Sequence, residues 1–124
     1  MTRCWERERE YMYKNDAYYI RKIREHILFI SEHMEGVSQD DLENQPVLQD
    51  SMMFRLVQIS ESAKYLSEGF LEKHANIPWT DIFGLRNRIV HDYGNVNLRI
   101  VYETLTIDIP VLAEALSDAE LGIL

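Results

Sequence analysis

The sequence predicts an all-α protein: an antiparallel bundle of four or five helices in one domain. Three observations carry this expectation. Apolar residues recur at three- and four-residue spacings, no segment alternates as a half-buried strand would, and glycine and proline are scarce, at five and three in 124 residues.

Residues 1–15 read as an N-terminal extension, with alternating charges around Trp5, Tyr11 and Tyr13, ahead of a helical domain over 16–124. Asp16 is expected to cap a first long helix running to about Met34 and ended by Gly36. Its inward face is Ile20, Ile23, Ile27, Ile30 and Met34. Ser38-Gln39-Asp40-Asp41 resembles a capping box, with aspartate in its fourth place, and opens a short helical turn. Pro46 suits the first turn of a second long helix, roughly 46–68, which Gly69 closes. That helix has two apolar faces. Met52, Met53, Leu56, Ile59, Ala63 and Leu66 form one, and Phe54 and Tyr65, with Glu61 between them in angle, form the other. A helix apolar on two sides is central to its bundle or shared with another subunit. Pro78-Trp79 starts a third long helix that Tyr93-Gly94-Asn95 stops. Asn97 caps the last, which carries Val101, Leu105, Ile109, Leu112 and Leu116 and is kinked or broken at Pro110.

A chain of this length fits one compact domain that needs neither disulfide nor metal to bury its core. The lone Cys4 excludes an internal disulfide framework and suits a reducing, cytoplasmic setting. No apolar run approaches the roughly 18 residues of a membrane span, and the charged start lacks the hydrophobic core of a secretion signal. A net charge of −8 argues against a general nucleic-acid coat and suits a basic partner. It leaves room for a local cationic pocket, for which Lys64, Lys73, Arg86, Arg88 and Arg99 are candidates.

The chemistry concentrates in Arg86-Asn87-Arg88-Ile89-Val90-His91-Asp92-Tyr93. At about 100° per residue from Ile82, the apolar arc holds Phe83, Leu85, Ile89 and Val90. Arg86 falls inside it at about 40° and Tyr93 at about 20°, while Asn87 and His91 lie near 140° and 180°. A guanidinium in an apolar stripe either meets a carboxylate within the fold or lines a pocket that a phosphate can enter. The second helix supplies a candidate carboxylate in Glu61. RNA cleavage by internal attack needs a base at the 2′-hydroxyl, an acid at the leaving 5′-oxygen and positive charge on the phosphorane. Histidine and arginine supply these without a metal. Arg86 and His91 nevertheless point about 140° apart on one regular helix. The imidazole must swing back at the helix end, or two copies must face each other across a two-fold axis, the reading favoured here.

Each residue also has an ordinary structural role. His91 can complement a helix C-terminus, Asn87 can be a surface amide or orient a ring, and Tyr93 can be a core-edge aromatic with a wet hydroxyl. His26 and His33, seven apart on the polar side of the first helix, lack the carboxylates that would define a zinc site, so no metal is expected. No nucleophile elbow or phosphate-cradling glycine loop is present.

The order Arg-x4-His-x-Tyr, here Arg86, His91 and Tyr93, resembles the HEPN domains of the HepT toxin type. Gln58-Ile59-Ser60-Glu61-Ser62-Ala63-Lys64 is similar to that family's Ile-Gly-Glu-Ala-Ala-Lys segment. Ile77-Pro78-Trp79, Gly84-Leu85-Arg86-Asn87, Val90-His91-Asp92-Tyr93-Gly94 and Asp108-Ile109-Pro110-Val111-Leu112 also match its landmarks. The similarity spans roughly 16–116; Ser60 departs from the usual glycine, and residues 1–15 have no counterpart.

The resemblance implies a helical homodimer acting as a metal-independent, cofactor-free endoribonuclease toxin on mRNA or tRNA. Arg86 and His91 of both subunits form the cleft, with Asn87 in support. It also implies a partner, a minimal nucleotidyltransferase antitoxin of the MntA type, which adds AMP to Tyr93 and can join the dimer in a larger assembly. The added charge and bulk beside Arg86 would block an incoming phosphate. The two-faced second helix adds the expectation that Glu61 pairs with Arg86. The competing reading is a non-catalytic helical partner of a nucleotidyltransferase, in which Arg86 and His91 only grip a nucleotide phosphate.

Overall fold

The computed structural model describes residues 15–123, with side chains through Ser117. The expected extension therefore lies outside the described residues, apart from Asn15. All described elements are helical: α1 (Asp16–Met34), α2 (Gln39–Glu43), α3 (Pro46–Ala63), α4 (Glu68–Lys73), α5 (Trp79–His91), a 3-10 turn (Tyr93–Asn95), α6 (Leu98–Glu103), a π turn (Thr104–Asp108) and α7 (Ile109–Ile123).

The helix ends follow local chemistry, with two corrections. Asn15, not Asp16, caps α1, accepting the Tyr18 amide through Oδ1 at 3.2 Å. Asp16 instead reaches across the fold to Ser67, accepting its amide at 2.8 Å and its hydroxyl at 2.7 Å. That contact explains the second correction, because α3 ends at Ala63 rather than near residue 68. Ser67, in extended backbone, caps the separate helix α4, so Gly69 lies inside a helix instead of closing one. Gly36, with φ 72°, supplies the left-handed exit from α1. Both bonds of the Ser38–Asp41 capping box are present and hold the Asp41 carboxyl below the usual range.

Helical backbone runs without a break from Leu98 through Pro110 to Ile123. The preceding turn widens until the Ile109 amide bonds the Thr104 carbonyl five residues back. A π turn relieves the clash between a proline ring and the carbonyl four residues earlier.

The contacts order the bundle. Asp16 meets Ser67, Tyr19 stacks on Tyr65, and His26 meets Arg55, so α1 and α3 run antiparallel. Their shared seam buries Ile20, Ile23, Ile30, Met52 and Ile59, each at 2% exposure or less. Each such side chain stabilises by about 1.5–3 kcal/mol. Leu112 and Leu116 of α7 close the core from the far side, and α5 adds Ile82, Leu85 and Ile89.

Candidate functional site

The core stripe of α5 leaves one shoulder facing α3, and Arg86 stands on it. Its Nε donates to Glu61 Oε1 at 2.5 Å, and its Nη1 donates to Asn87 Oδ1 at 3.0 Å. The side chains of Arg86 and Glu61 are 21% and 34% exposed, so the pair is shielded without being sealed. Lys64 adds a second cation 3.4 Å from Glu61. The Nη2 edge of the guanidinium has no partner among the described residues. Arg86 thus meets a carboxylate on one edge and keeps a hydrogen-bonding edge open for an anion.

Tyr93 departs from its expected place. Extending the helical wheel put it in the apolar arc, but α5 stops at His91, where Asp92 leaves helical geometry at φ −149°. Tyr93 opens the 3-10 turn with 46% of its surface exposed, and its hydroxyl donates to Asp50 Oδ1. The ring edge is open, while the hydroxyl end lies against α3. Burial there, then the hydrogen bond and negative charge of Asp50, pushes the phenol from 10.0 up to about 12.

Asp50 was not singled out from the sequence, yet a signal existed. Asp50 and Glu61 are eleven positions apart, so they fall within about 20° on one helix edge, roughly 16 Å apart along the axis. Arg86 and Tyr93 form the matching edge across the seam. The crossed pairing, Asp50 with Tyr93 and Glu61 with Arg86, makes α3 and α5 antiparallel.

His91 is not part of that edge. It is the last residue of α5, exposed, and without hydrogen bond or ion pair among the described residues. Because its backbone is still helical, its side chain leaves the axis about 140° from Arg86. Val90, expected in the apolar arc, is 48% exposed, and Phe54 on α3 is 50% exposed. The α3–α5 shoulder therefore carries uncovered apolar surface around a part-shielded cation. Among the described residues no group of three or more metal-ligating side chains stands together.

The family described as Ribonuclease HepT-like matches residues 19–119. A candidate RNase of Caldanaerobacter subterraneus subsp. tengcongensis is 37% identical over 102 residues, covering 79% of this chain and 91% of the relative. A probable ribonuclease HepT of Thermococcus cleftensis is 29% identical over 94 residues, covering 76% and 86%. A Methanocaldococcus jannaschii protein, named as a gamma-glutamylcyclotransferase and candidate RNase, is 33% identical over 103 residues, covering 83% of this chain but 46% of its own length. No solved structure matches the chain.

Proposed function

Since the chain belongs to the HepT-like ribonuclease family, we propose that it is a toxin that cuts RNA without a metal, at a cleft formed when two copies meet. The observation that carries this reading is the state of Arg86. Glu61 holds Nε of its guanidinium and Asn87 holds Nη1, while Nη2, on the same helix as His91, has no partner among the described residues. In the reaction, one imidazole takes the 2′-hydroxyl proton as O2′ attacks phosphorus. Arg86 stabilises the phosphorane oxygens, and the 5′-oxygen leaves with a proton returned by the same imidazole, now an imidazolium. The products are a 2′,3′-cyclic phosphate and a 5′-hydroxyl. Divergence of Arg86 and His91 within one protomer favours a composite cleft, with the exposed Val90 and Phe54 as contact surface.

Regulation follows the same edge. A nucleotidyltransferase antitoxin adds AMP to Tyr93: Oη attacks the α-phosphorus of ATP, pyrophosphate leaves, and Asp50 receives the phenol proton. A phenol near 12 is protonated at neutral pH, so the transfer needs such an acceptor. The added phosphate meets the Asp50 carboxylate, and the repulsion turns the modified ring off α3 into the approach to the Arg86 edge.

The test is cleavage of single-stranded RNA with a chelator present. Arg86→Ala and His91→Ala should each lower the rate by a factor on the order of 100 or more. Unchanged cleavage by His91→Ala removes the acid–base assignment. A wild type that binds a nucleotidyltransferase tightly yet never cuts RNA favours the non-catalytic partner, a role that the acidic charge of −8 also suits.

A further inference from the structure

A second array of cations and rings lies on the far side of α3. Along α1, Tyr18, Lys22, His26, Phe29 and His33 fall within about 80° of one another, a single stripe. Arg55 of α3 joins it. Its guanidinium carbon sits 3.8 Å over the Phe29 ring, and the His33 ring lies 3.9 Å from the same centroid, tilted by 24°. Two planar groups that close cannot share one face, so Phe29 is sandwiched between Arg55 and His33. Arg55 Nη1 is 3.1 Å from His26 Nδ1, and Lys22 Nζ is 5.7 Å from the Tyr18 centroid.

The unusual feature is what these cations lack. No described carboxylate forms an ion pair with Lys22 or Arg55, although the protein carries 21 acidic residues. Glu25 and Glu32 stand on the next flank of α1. Arg55 meets an imidazole and a phenyl ring, so its charge remains uncompensated at a half-buried position. His33 Nδ1 donates to the Phe29 carbonyl oxygen, 2.8 Å away, which fixes its ring flat on Phe29 with the outer face exposed. Arg55 is also 5.8 Å from the ring of Phe54. Phe54 lies within about 40° of Asp50 and Glu61 on α3, so it joins this stripe to the Arg86 edge.

We propose that Lys22, His26, Phe29, His33 and Arg55 form a track that holds single-stranded RNA and leads it past the copy-to-copy contact at Phe54 toward the Arg86 edge. The exposed outer face of His33, backed by Phe29 and Arg55, stacks an unpaired base, and the uncompensated cations take the neighbouring phosphates. A duplex hides its base faces and offers only its backbone. The track rests on the ribonuclease reading for its direction, but it makes a separate prediction about binding.

The experiment uses full-length His91→Ala protein, silent as a nuclease, and a labelled single-stranded oligoribonucleotide read by fluorescence anisotropy. Adding Arg55→Gln or His33→Ala should weaken binding about tenfold, and Arg55→Gln should flatten the salt dependence by about one ion. Lys22→Gln, at an exposed position, should weaken it about threefold and guards against loss through misfolding. Duplex RNA should respond much less. If all three variants bind like the parent while Arg86→Ala abolishes binding, the track is overturned and the nuclease reading stands. Variants that keep RNA but lose a nucleotidyltransferase make the stripe a protein dock and also overturn it. A wild type that neither binds nor cuts RNA overturns both.

Discussion

Glu61 holds Arg86 by its Nε edge alone, at 2.5 Å across the α3–α5 seam, and among the described residues nothing bonds Nη2. A guanidinium fixed on one side presents its other donors without first losing rotamer freedom, so a phosphate meets a prepared fork. Glu61→Gln keeps the shape and removes the charge. It should lower RNA cleavage about tenfold, through misplacement of Arg86. Because both side chains are partly solvated, stability should fall by only about 1 kcal/mol. Cleavage and thermal midpoint both equal to wild type would show that Glu61 does not position Arg86.

The Asp50–Tyr93 contact gives a spectroscopic signature. Absorbance titration of tyrosinate, compared between wild type and Tyr93→Phe, should show one phenol ionising near 12 instead of 10.0. Asp50→Asn should bring it only part of the way back, since burial is the larger cause. The sign follows: a phenol whose folded value is raised stabilises the fold below 10.0 and loses that contribution as pH rises through about 12. With ATP and the nucleotidyltransferase, Asp50→Asn should slow AMP transfer to Tyr93 by roughly tenfold. An unchanged rate removes Asp50 as the proton acceptor.

His26 controls stability on the acid side. Burial first, then Arg55 of α3, holds it below its ordinary 6.5; Lys22 on its own helix adds to this and Glu25 opposes it. A histidine lowered in the folded state contributes fully above 6.5, and the contribution is lost as pH falls through the lower folded value. The urea midpoint of wild type should therefore drop more between about pH 7.5 and about pH 5 than that of His26→Gln. Equal drops would mean that His26 titrates alike in both states.

The parts legible in the sequence were those set by neighbours along the chain. Ile20, Ile23, Ile27, Ile30 and Met34 announce a buried face because one helix turn brings them together, and the Ser38–Asp41 box is complete within four residues. Arg86 was conspicuous as a charge within a greasy arc, and Glu61 could be paired with it from the second face of α3. The features hidden in the sequence depend on residues distant in the chain. Asp16 stands where a cap is expected, but its bond to Ser67, across 51 residues, has no local mark. Gly69 resembles a helix end, although the Ser67 cap before it opens a new helix. The wheel puts Tyr93 in the apolar arc only if the helix continues past Asp92, where it ends. Asp50 resembles a solvated acid in an early helix turn, because its partner arrives 43 positions later.

Ser60 gives a prediction independent of the site. It is fully buried within α3, and its hydroxyl has no hydrogen-bond partner among the described residues. An unpaired buried hydroxyl costs about 1–3 kcal/mol, and alanine is the better helix former. Ser60→Ala should stabilise the protein by about 1 kcal/mol and raise Tm by about 4 °C. Larger side chains should destabilise it, because the position has no surface to escape to. A lower Tm for Ser60→Ala would show that the hydroxyl is bonded in solution.

The divergence of Arg86 and His91 makes the composite cleft testable by mixing. Arg86→Ala subunits retain His91, and His91→Ala subunits retain Arg86. If each site takes its arginine from one copy and its histidine from the other, a mixed dimer contains one complete site and one empty of both groups. Random exchange makes half of the dimers mixed, so two inactive preparations should together recover about a quarter of wild-type cleavage. Sites complete within one protomer would recover nothing, since every chain in the mixture lacks one group. Recovery should also depend on contact between copies: Val90→Asp or Phe54→Asp, placing charge on the exposed apolar shoulder, should abolish it and shift the protein to monomers in sedimentation. Full cleavage by a monomeric Val90→Asp protein would sink the shared cleft and return the imidazole to its own arginine.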